Sequence, residues 1–528
     1  MVFAYNSDNV VALHIGAQEF LMSEYNTVLK IQDLLSKLSA TPIPINIIKL
    51  ALRTHQANHI DYPTFVHLPE TLFTGQLMMN QIEAVQFVNT RPKSLLCLDM
   101  GTGKTAIGLY LIALLKPKRS MTVVPSSLKD NWCNEFEKFI PTVKYIKICT
   151  FKQYQQEKEQ DCNYIISYSL LDKIINSGPP PSTNLLIMDE AHYVKNSGSK
   201  RSKAIRKLTK HAEKFILLTG TAAQSHSDFY NLLRLVDGDM FKHFFHYDTN
   251  KKDNIFYFAD RYTVPEKIFF HGGRNQYVFK KNINTAELRV ISNSLVLRQR
   301  KEDVMILPPH TREFITIGKL NTMDEKYFKD ELIRMETIRT VKGKLYSDVI
   351  LLELIRRTGL YKVDLMIEYI QNILSTTRKF IIFTHHKNIQ QLLGTFLTTR
   401  NIGHIAICGT TPMKTRTSLL QTFQDDHSCR IGLLSLGSCS TGLNLTFVNL
   451  VLFMELTFNS ILYTQAECRC HRKGQVHPVT TRYMLLEGST DDIVLRSNLS
   501  KRKCQSNLLD PRDKKRISYE VDSGSEED

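Results

Sequence analysis

One short stretch constrains this chain most: the apolar run Leu95-Leu-Cys-Leu98, followed by Asp99-Met-Gly-Thr-Gly-Lys-Thr105. The four apolar residues suit a buried strand. After the glycines, apolar side chains continue at helical spacing through Ile107, Tyr110, Leu111 and Leu114. A strand entering a helix through a glycine turn gathers backbone N–H groups at the positive end of the helix dipole, which makes an anion cradle. In such a cradle Met100, Gly101, Thr102, Gly103, Lys104 and Thr105 are candidate ATP-binding residues. Lys104 would reach the β- and γ-phosphates, and Thr105 would hold Mg2+. The strict phosphate-loop pattern asks for glycine where Leu98 stands, so this stretch taken alone also fits a plain tight turn.

Short apolar runs recur at residues 121–124, 164–166, 185–188 and 215–218, each followed by turn residues and then helix-like spacing. Buried strands alternating with helices predict a parallel α/β sheet with its ligands at the carboxyl ends of the strands. Four candidate loops fall there: 101–105, 125–127, 189–192 and 219–221. A second series at 380–384, 405–408, 431–436, 450–454 and 480–485 predicts another sheet of similar size. The expected fold is therefore α/β: two lobes with parallel sheets flanked by helices, joined by a helical linker. The expected divisions are an N-terminal extension or small accessory domain (1–75), an ATP-binding lobe (76–236), a helical linker or insertion (237–350), a second lobe (351–497) and a disordered tail (498–528), basic and then acidic. Within 1–75, helical spacing is visible at Val28, Ile31, Leu34, Leu35 and Leu38.

The candidate chemistry lies in these loops. Asp189-Glu190-Ala-His192 follows the run 185–188. At a strand end Asp189 can bind Mg2+ through water and Glu190 can orient or deprotonate an attacking water, although paired acids also serve as helix N-caps. On the helix expected at 77–88, Gln81 has an amide suited to an adenine edge, or simply to solvent. In residues 465–475, Arg469 and Arg472 stand three apart, so a helix would project both from one face. They could supply positive charge to a transferring phosphoryl group or be a solvated basic face. Lys200, Lys203, Lys207, Lys210 and Lys214 follow steps of three and four, predicting one helical face that could meet DNA phosphates or only water.

The order of these motifs resembles the SWI/SNF-like branch of the superfamily-two helicases. The matching strings are Asp99-Met-Gly-Thr-Gly-Lys-Thr105, Val123-Val-Pro-Ser-Ser-Leu128 with Trp132, Asp189-Glu-Ala-His192, Leu218-Thr-Gly-Thr-Ala222, and Leu297-Arg-Gln-Arg-Lys-Glu-Asp-Val304 with Leu307-Pro308. In the second lobe they are Phe383-Thr-His-His-Lys387, Ser440-Thr-Gly-Leu-Asn-Leu-Thr446 and residues 465–475. The resemblance covers roughly residues 76 to 496 and implies two RecA-like lobes that translocate on double-stranded DNA. It further implies that Gln465, Arg469 and Arg472 serve catalysis with Glu190, and that Gly442 joins the ATP site. Ser126, Ser127, Thr221, Thr441 and Asn444 would lie near the DNA backbone. The chain departs from the family's usual residues at Thr102, Ala222, Phe458, Cys468 and Cys470, none of which removes a phosphate, Mg2+ or arginine-finger group.

Formal net charge is +16, which points to an anionic partner, with nucleic acid favoured over a membrane surface. The start of the chain lacks the basic and apolar regions of a signal peptide, and the ten cysteines form no C-x-x-C pair, so a reduced compartment is expected. Cys468-Arg-Cys470-His471 has no second ligand pair to make a zinc site. The basic clusters at 501–503 and 514–516 suit nuclear import. Within its branch the chain most resembles the annealing-helicase, fork-remodelling group, on Val124-Pro-Ser-Ser-Leu128 and His192-Tyr-Val-Lys-Asn196. This resemblance implies a DNA-dependent ATPase, using ATP and Mg2+, that anneals or remodels branched or forked double-stranded DNA in the nucleus. Single-strand-binding or replication and repair proteins are its candidate protein partners, and no oligomeric state is implied. A chromatin remodeller, an RNA helicase of the same superfamily and a non-hydrolysing scaffold are the alternatives.

Overall fold

A computed structural model describes residues 2–5, 11–15, 18–21 and 64–509, apart from 179–180, 197, 223–224, 238–257, 259–260, 270–274, 293–294, 343, 378 and 442. Two compact units divide the chain: residues 1–266, 278–300 and 503–528 form one, and residues 267–277 with 301–502 form the other.

At the N-terminus, β1 (Val2–Tyr5), β2 (Val11–Ile15) and β3 (Gln18–Leu21) make a small antiparallel sheet. The helical spacing read at residues 28–38 lies outside the described residues. The first unit is built on β4 (Lys93–Leu98), β5 (Ser120–Val124), β6 (Tyr145–Lys147), β7 (Asn163–Ser167), β8 (Thr183–Met188) and β9 (Ala212–Thr219). A pair, β10 (Thr263–Phe269) and β11 (Asn275–Asn282), precedes β12 (Val296–Gln299). The large sheet has the order β12-β4-β9-β8-β5-β7-β6, with every pairing parallel. Its strands send alternate side chains into two cores: Leu95, Cys97, Leu186, Met188 and Leu217 enter one, and Leu96, Leu98, Ile187, Ile216 and Leu218 the other. A strand buried on both faces needs apolar residues at every position, which is why the runs were continuous.

The second unit repeats the plan with β13 (His310–Lys319), β14 (Phe380–Thr384), β15 (Gly403–Ile407), β16 (Cys429–Ser435), β17 (Leu450–Phe453) and β18 (Val479–Glu487). These form an all-parallel sheet in the order β13-β18-β17-β14-β16-β15. Ile381 and Phe383 face one core, Phe380 and Ile382 the other.

Several expected boundaries do not coincide with the elements. Residues 237–350 are not one connector, because β12 pairs with β4 in the first sheet and β13 with β18 in the second. A cut at 350 would pass through a continuous helix, Lys344–Leu374, and a tail beginning at 498 would cut another, Asp491–Leu509. The lysine stripe also ends early. Its helix stops at Leu208, residues Thr209–His211 tighten into a 3-10 turn, and Lys214 lies in β9, half-buried, where desolvation lowers its pKa.

Candidate active site

The helices that carry candidate residues are α1 (Met79–Asn89), α2 (Lys104–Leu115), α3 (Lys129–Phe139) and α4 (Lys200–Leu208) in the first unit; the second unit has its own candidates on and after α5 (Ser460–Cys470). The glycine turn joins β4 to α2. Gly101 at φ 87° and Gly103 at φ 83° are both left-handed, a conformation L side chains rarely adopt. A Cβ on Gly103 would stand 2.1 Å from Gln81 Nε2, so the turn also needs glycine for space.

Gln81 is buried rather than solvent-facing: its Oε1 accepts from Met78 N (2.9 Å) and its Nε2 donates to Thr102 O (3.2 Å). It thereby starts α1 and braces the cradle. Thr102 is buried and its hydroxyl donates to Asp99 O (2.8 Å). Met100 is buried, Gly101 is exposed and Thr105 is half-buried. Lys104 Nζ donates to Leu98 O (3.0 Å) and Asp99 O (3.2 Å).

The loop after β9 reaches the same place, since a Cβ on Gly220 would meet Met100 Cγ at 3.2 Å and Lys104 Nζ at 3.6 Å. The end of β12 closes the other side. Arg298 Nη1 donates to Asp99 Oδ1 (2.6 Å), and Gln299 Nε2 donates to Asn80 O (2.8 Å) and Glu83 Oε2 (2.9 Å). Leu297-Arg-Gln-Arg, read only as a mark of the family, is thus a support for the cradle.

At the end of β8, Asp189 and Glu190 are both buried. Burial raises the pKa of Asp189, the charge of Glu190 raises it further, and Lys104 with the Trp132 indole partly offsets this. Glu190 sits at φ 52°, ψ 53°, a left-handed conformation that costs a residue with a Cβ about 1–2 kcal/mol. Residues strained in this way cluster at active sites, which makes Glu190 a candidate functional acid. His192 Nδ1 lies 3.2 Å from Glu190 Oε2, and the Thr221 hydroxyl lies 3.5 Å from the same ring nitrogen. Thr221, a candidate DNA contact, is buried with its hydroxyl beside His192. The two adjoining buried acids at the end of β8 and the hydroxyl of Thr105 in the first turn of α2 are hard oxygens of the kind Mg2+ takes, and the Lys104 amine is a cation suited to phosphate oxygens.

Ser126 and Ser127, in a 3-10 turn (Ser126–Leu128) that leads into α3, are exposed, as are Lys200, Lys203 and Lys207 on α4. In the second unit Gln465 is buried on α5, Arg469 is half-buried near its end, and Asn444 is exposed. Helix α5 ends at Cys470, so Arg472 lies in the bend beyond it and does not share a helical face with Arg469 as the spacing had suggested. Thr441 ends a 3-10 turn (Leu436–Thr441), and Gly442 lies outside the described residues.

Sequence reasoning missed the anchor of this helix. Glu467 is buried and accepts from Arg312 Nε (2.8 Å), Arg312 Nη2 (2.9 Å) and Tyr483 OH (2.7 Å). Burial alone would raise its pKa, but Arg312 and Arg502 hold it far below the usual carboxylate range. On the next turn His471 Nε2 meets Pro308 O at 2.8 Å, and the Lys301 amine donates to His471 O.

Residues 80–364 match the SNF2-related domain, more than half of the chain, and residues 362–474 match the helicase conserved C-terminal domain. The chain belongs to the SNF2-related family. It carries both domains of a helicase-like ATP hydrolase, as the order of motifs implied. Among curated relatives, the SWI/SNF-related matrix-associated actin-dependent regulator of chromatin subfamily A-like protein 1 of Drosophila melanogaster is 28% identical over 431 residues, covering 80% of this chain and 55% of that protein. The DNA annealing helicase and endonuclease ZRANB3 of Mus musculus is 27% identical over 481 residues, covering 87% and 43%. The chain therefore spans about half the length of such relatives. The Sulfolobus solfataricus SWI2/SNF2 ATPase core in complex with dsDNA aligns over 84% of this chain and 99% of its own, with 19% identity and a TM-score of 0.38. No described helix of this SNF2-related chain is long and apolar enough to cross a membrane.

Proposed function

We propose that this chain hydrolyses ATP, with Mg2+, to move along double-stranded DNA and to anneal or remodel branched or forked DNA in the nucleus. The observation that carries the reading is the convergence of Lys104, Asp189, Glu190 and Gly220 at neighbouring strand ends of one sheet. In hydrolysis a water oxygen bonds to the γ-phosphorus while the bond from that phosphorus to the β-phosphate bridging oxygen breaks, leaving ADP and phosphate. Glu190 takes the proton of the water, and Lys104 holds the phosphates in line. Asp189 and Thr105 would hold Mg2+, which supplies charge neutralisation on the phosphate oxygens. By the family resemblance, Arg469 and Arg472 would add transition-state charge and Gln465 a hydrogen-bonding amide; loss of an arginine finger costs about 10³–10⁵ in rate. Gln81 braces the nucleotide cradle from α1, and the family resemblance implies Gly442 as a further nucleotide-binding residue.

The DNA track is supported by the net charge of +16 and by exposed Ser126, Ser127, Asn444, Lys200, Lys203 and Lys207. Preference for forks is supported by the printed name of the mouse relative, an annealing helicase. The test is ATP turnover with forked, duplex, single-stranded or no DNA, together with annealing of a partly melted duplex. Turnover should rise with DNA and vanish in Lys104→Ala. Equal turnover without DNA would refute the motor, and nucleosome sliding without annealing would favour chromatin as the track.

A further inference from the structure

The chain has a single tryptophan, and it stands where three elements of the site meet. Trp132 is fully buried on α3, and a buried indole N–H needs an acceptor. That acceptor is Asp189 Oδ2, at 2.9 Å. Asp189 Oδ1 accepts from Glu190 N (2.9 Å), so both carboxylate oxygens are held, and Tyr168 OH donates to the main-chain Asp189 O (2.7 Å), which pins the backbone beside them. The flat side of the joint belongs to the cradle helix. Gly108 lies one turn beyond Lys104 on α2, and a Cβ there would stand 2.8 Å from Trp132 Cη2. Toward its own start, α3 follows the exposed turn Ser126–Leu128 without a break. Trp132 is therefore about one and a half helical turns from Ser127.

We propose that Trp132 is the positioning residue for the Mg2+ carboxylate and that it links the Ser126-Ser127 turn to Asp189. A phosphate engaged at the serine turn shifts the start of α3, and the indole N–H carries that shift to Asp189 Oδ2. This rests on the reading of Asp189 as the Mg2+ acid and of Ser126 and Ser127 as DNA contacts. Outer partners that orient a metal ligand are worth about 10–100-fold in metal affinity. Trp132→Phe keeps an aromatic ring on α3 but removes the N–H and shortens the ring where Cη2 meets Gly108, so thermal stability is measured beside it.

Two experiments on the full chain decide it. In Trp132→Phe, the Mg2+ concentration for half-maximal ATP turnover should rise about tenfold and the stimulation by duplex DNA should fall. A merely structural role would lower thermal stability and turnover while leaving both Mg2+ half-saturation and DNA stimulation at wild-type values, which would overturn the proposal. In the wild type, which needs no variant to fold, the lone tryptophan reports directly. Its emission should change when Mg2+ is added to the ADP complex, and again when duplex DNA is added. Unchanged emission with ADP and Mg2+ binding verified by calorimetry would overturn the link. Lys104→Ala separates the two levels: loss of turnover there with wild-type Mg2+ dependence in Trp132→Phe refutes this inference alone, whereas retained turnover refutes the ATP-site reading itself.

Discussion

Replacing Arg312 by alanine tests what holds the arginine-bearing helix α5 in place. The guanidinium grips Glu467 through two hydrogen bonds of 2.8 and 2.9 Å, and the Glu467 side chain is only 3% exposed. Removing one partner of a fully buried ion pair costs about 3–5 kcal/mol, because a charge is left without compensation. Here the Arg312 side chain is 35% exposed, Tyr483 OH still donates to Glu467 and Arg502 Nη2 stands 3.8 Å away, so about 2 kcal/mol is the reasonable figure. A chain of two units need not unfold in one step, so the readout should be local. Hydrogen exchange of peptides covering α5 and β13 should speed up by about thirtyfold, which is that free energy at tenfold per 1.4 kcal/mol. Adding Glu467→Gln removes the stranded charge and keeps an acceptor for Tyr483, so the double variant should regain most of the protection. Exchange within threefold of wild type in Arg312→Ala, or a double variant no better than the single, would refute the reasoning.

The same unit should weaken in acid through His310. Burial, with a further push from Arg312, His471 and Lys301 and opposed by Glu467, lowers its pKa from 6.5 to about 4. The unfolded chain therefore binds the extra proton first, so this contribution is present above pH 6.5 and is lost as pH falls toward 4. His310→Gln, which keeps a partner for Thr481 Oγ1, should flatten melting temperature against pH across that window. Gly103→Ala should lower nucleotide affinity at least tenfold, measured by calorimetry, because φ 83° and the Gln81 amide both oppose a Cβ. Charge reversal at Lys200, Lys203 and Lys207 should weaken duplex DNA binding and reduce the slope of log affinity against log salt by up to about 3, at about 0.9 per phosphate.

What could be read from the sequence follows from burial. The central strands β4, β5, β8, β9, β14, β16 and β17 are covered on both faces through most of their length, so each carries a mainly apolar run and each was visible. Edge strands have no such obligation. Tyr145–Lys147 is half-buried and only 3 residues long, β13 alternates exposed and half-buried positions, and β12 carries Arg298 and Gln299, whose side chains serve the cradle. All three fell outside the expected sheets for that reason. Periodicity also has no memory of where a helix stops: the lysine steps run on past Leu208, and the arginine spacing runs past Cys470.

The site divides in the same way. Glycine loops and paired acids are local strings, so Gly101, Gly103, Lys104, Asp189 and Glu190 were legible. The groups that orient them come from distant segments: Trp132 on Asp189, Arg298 on Asp99, Thr221 beside His192, Arg312 on Glu467. Parallel topology explains the split. Each strand end is delivered to the same edge by its own crossover, so the sequence reveals which loops converge, while the bridges between loops depend on strand order. Strand order sets β8 one strand from β4, across β9, and next to β5, which leads to the serine turn and α3. That adjacency lets one indole touch both the cradle helix and the acid at the end of β8. The proposed route from the serine turn to Asp189 therefore runs through a single buried side chain within the first unit.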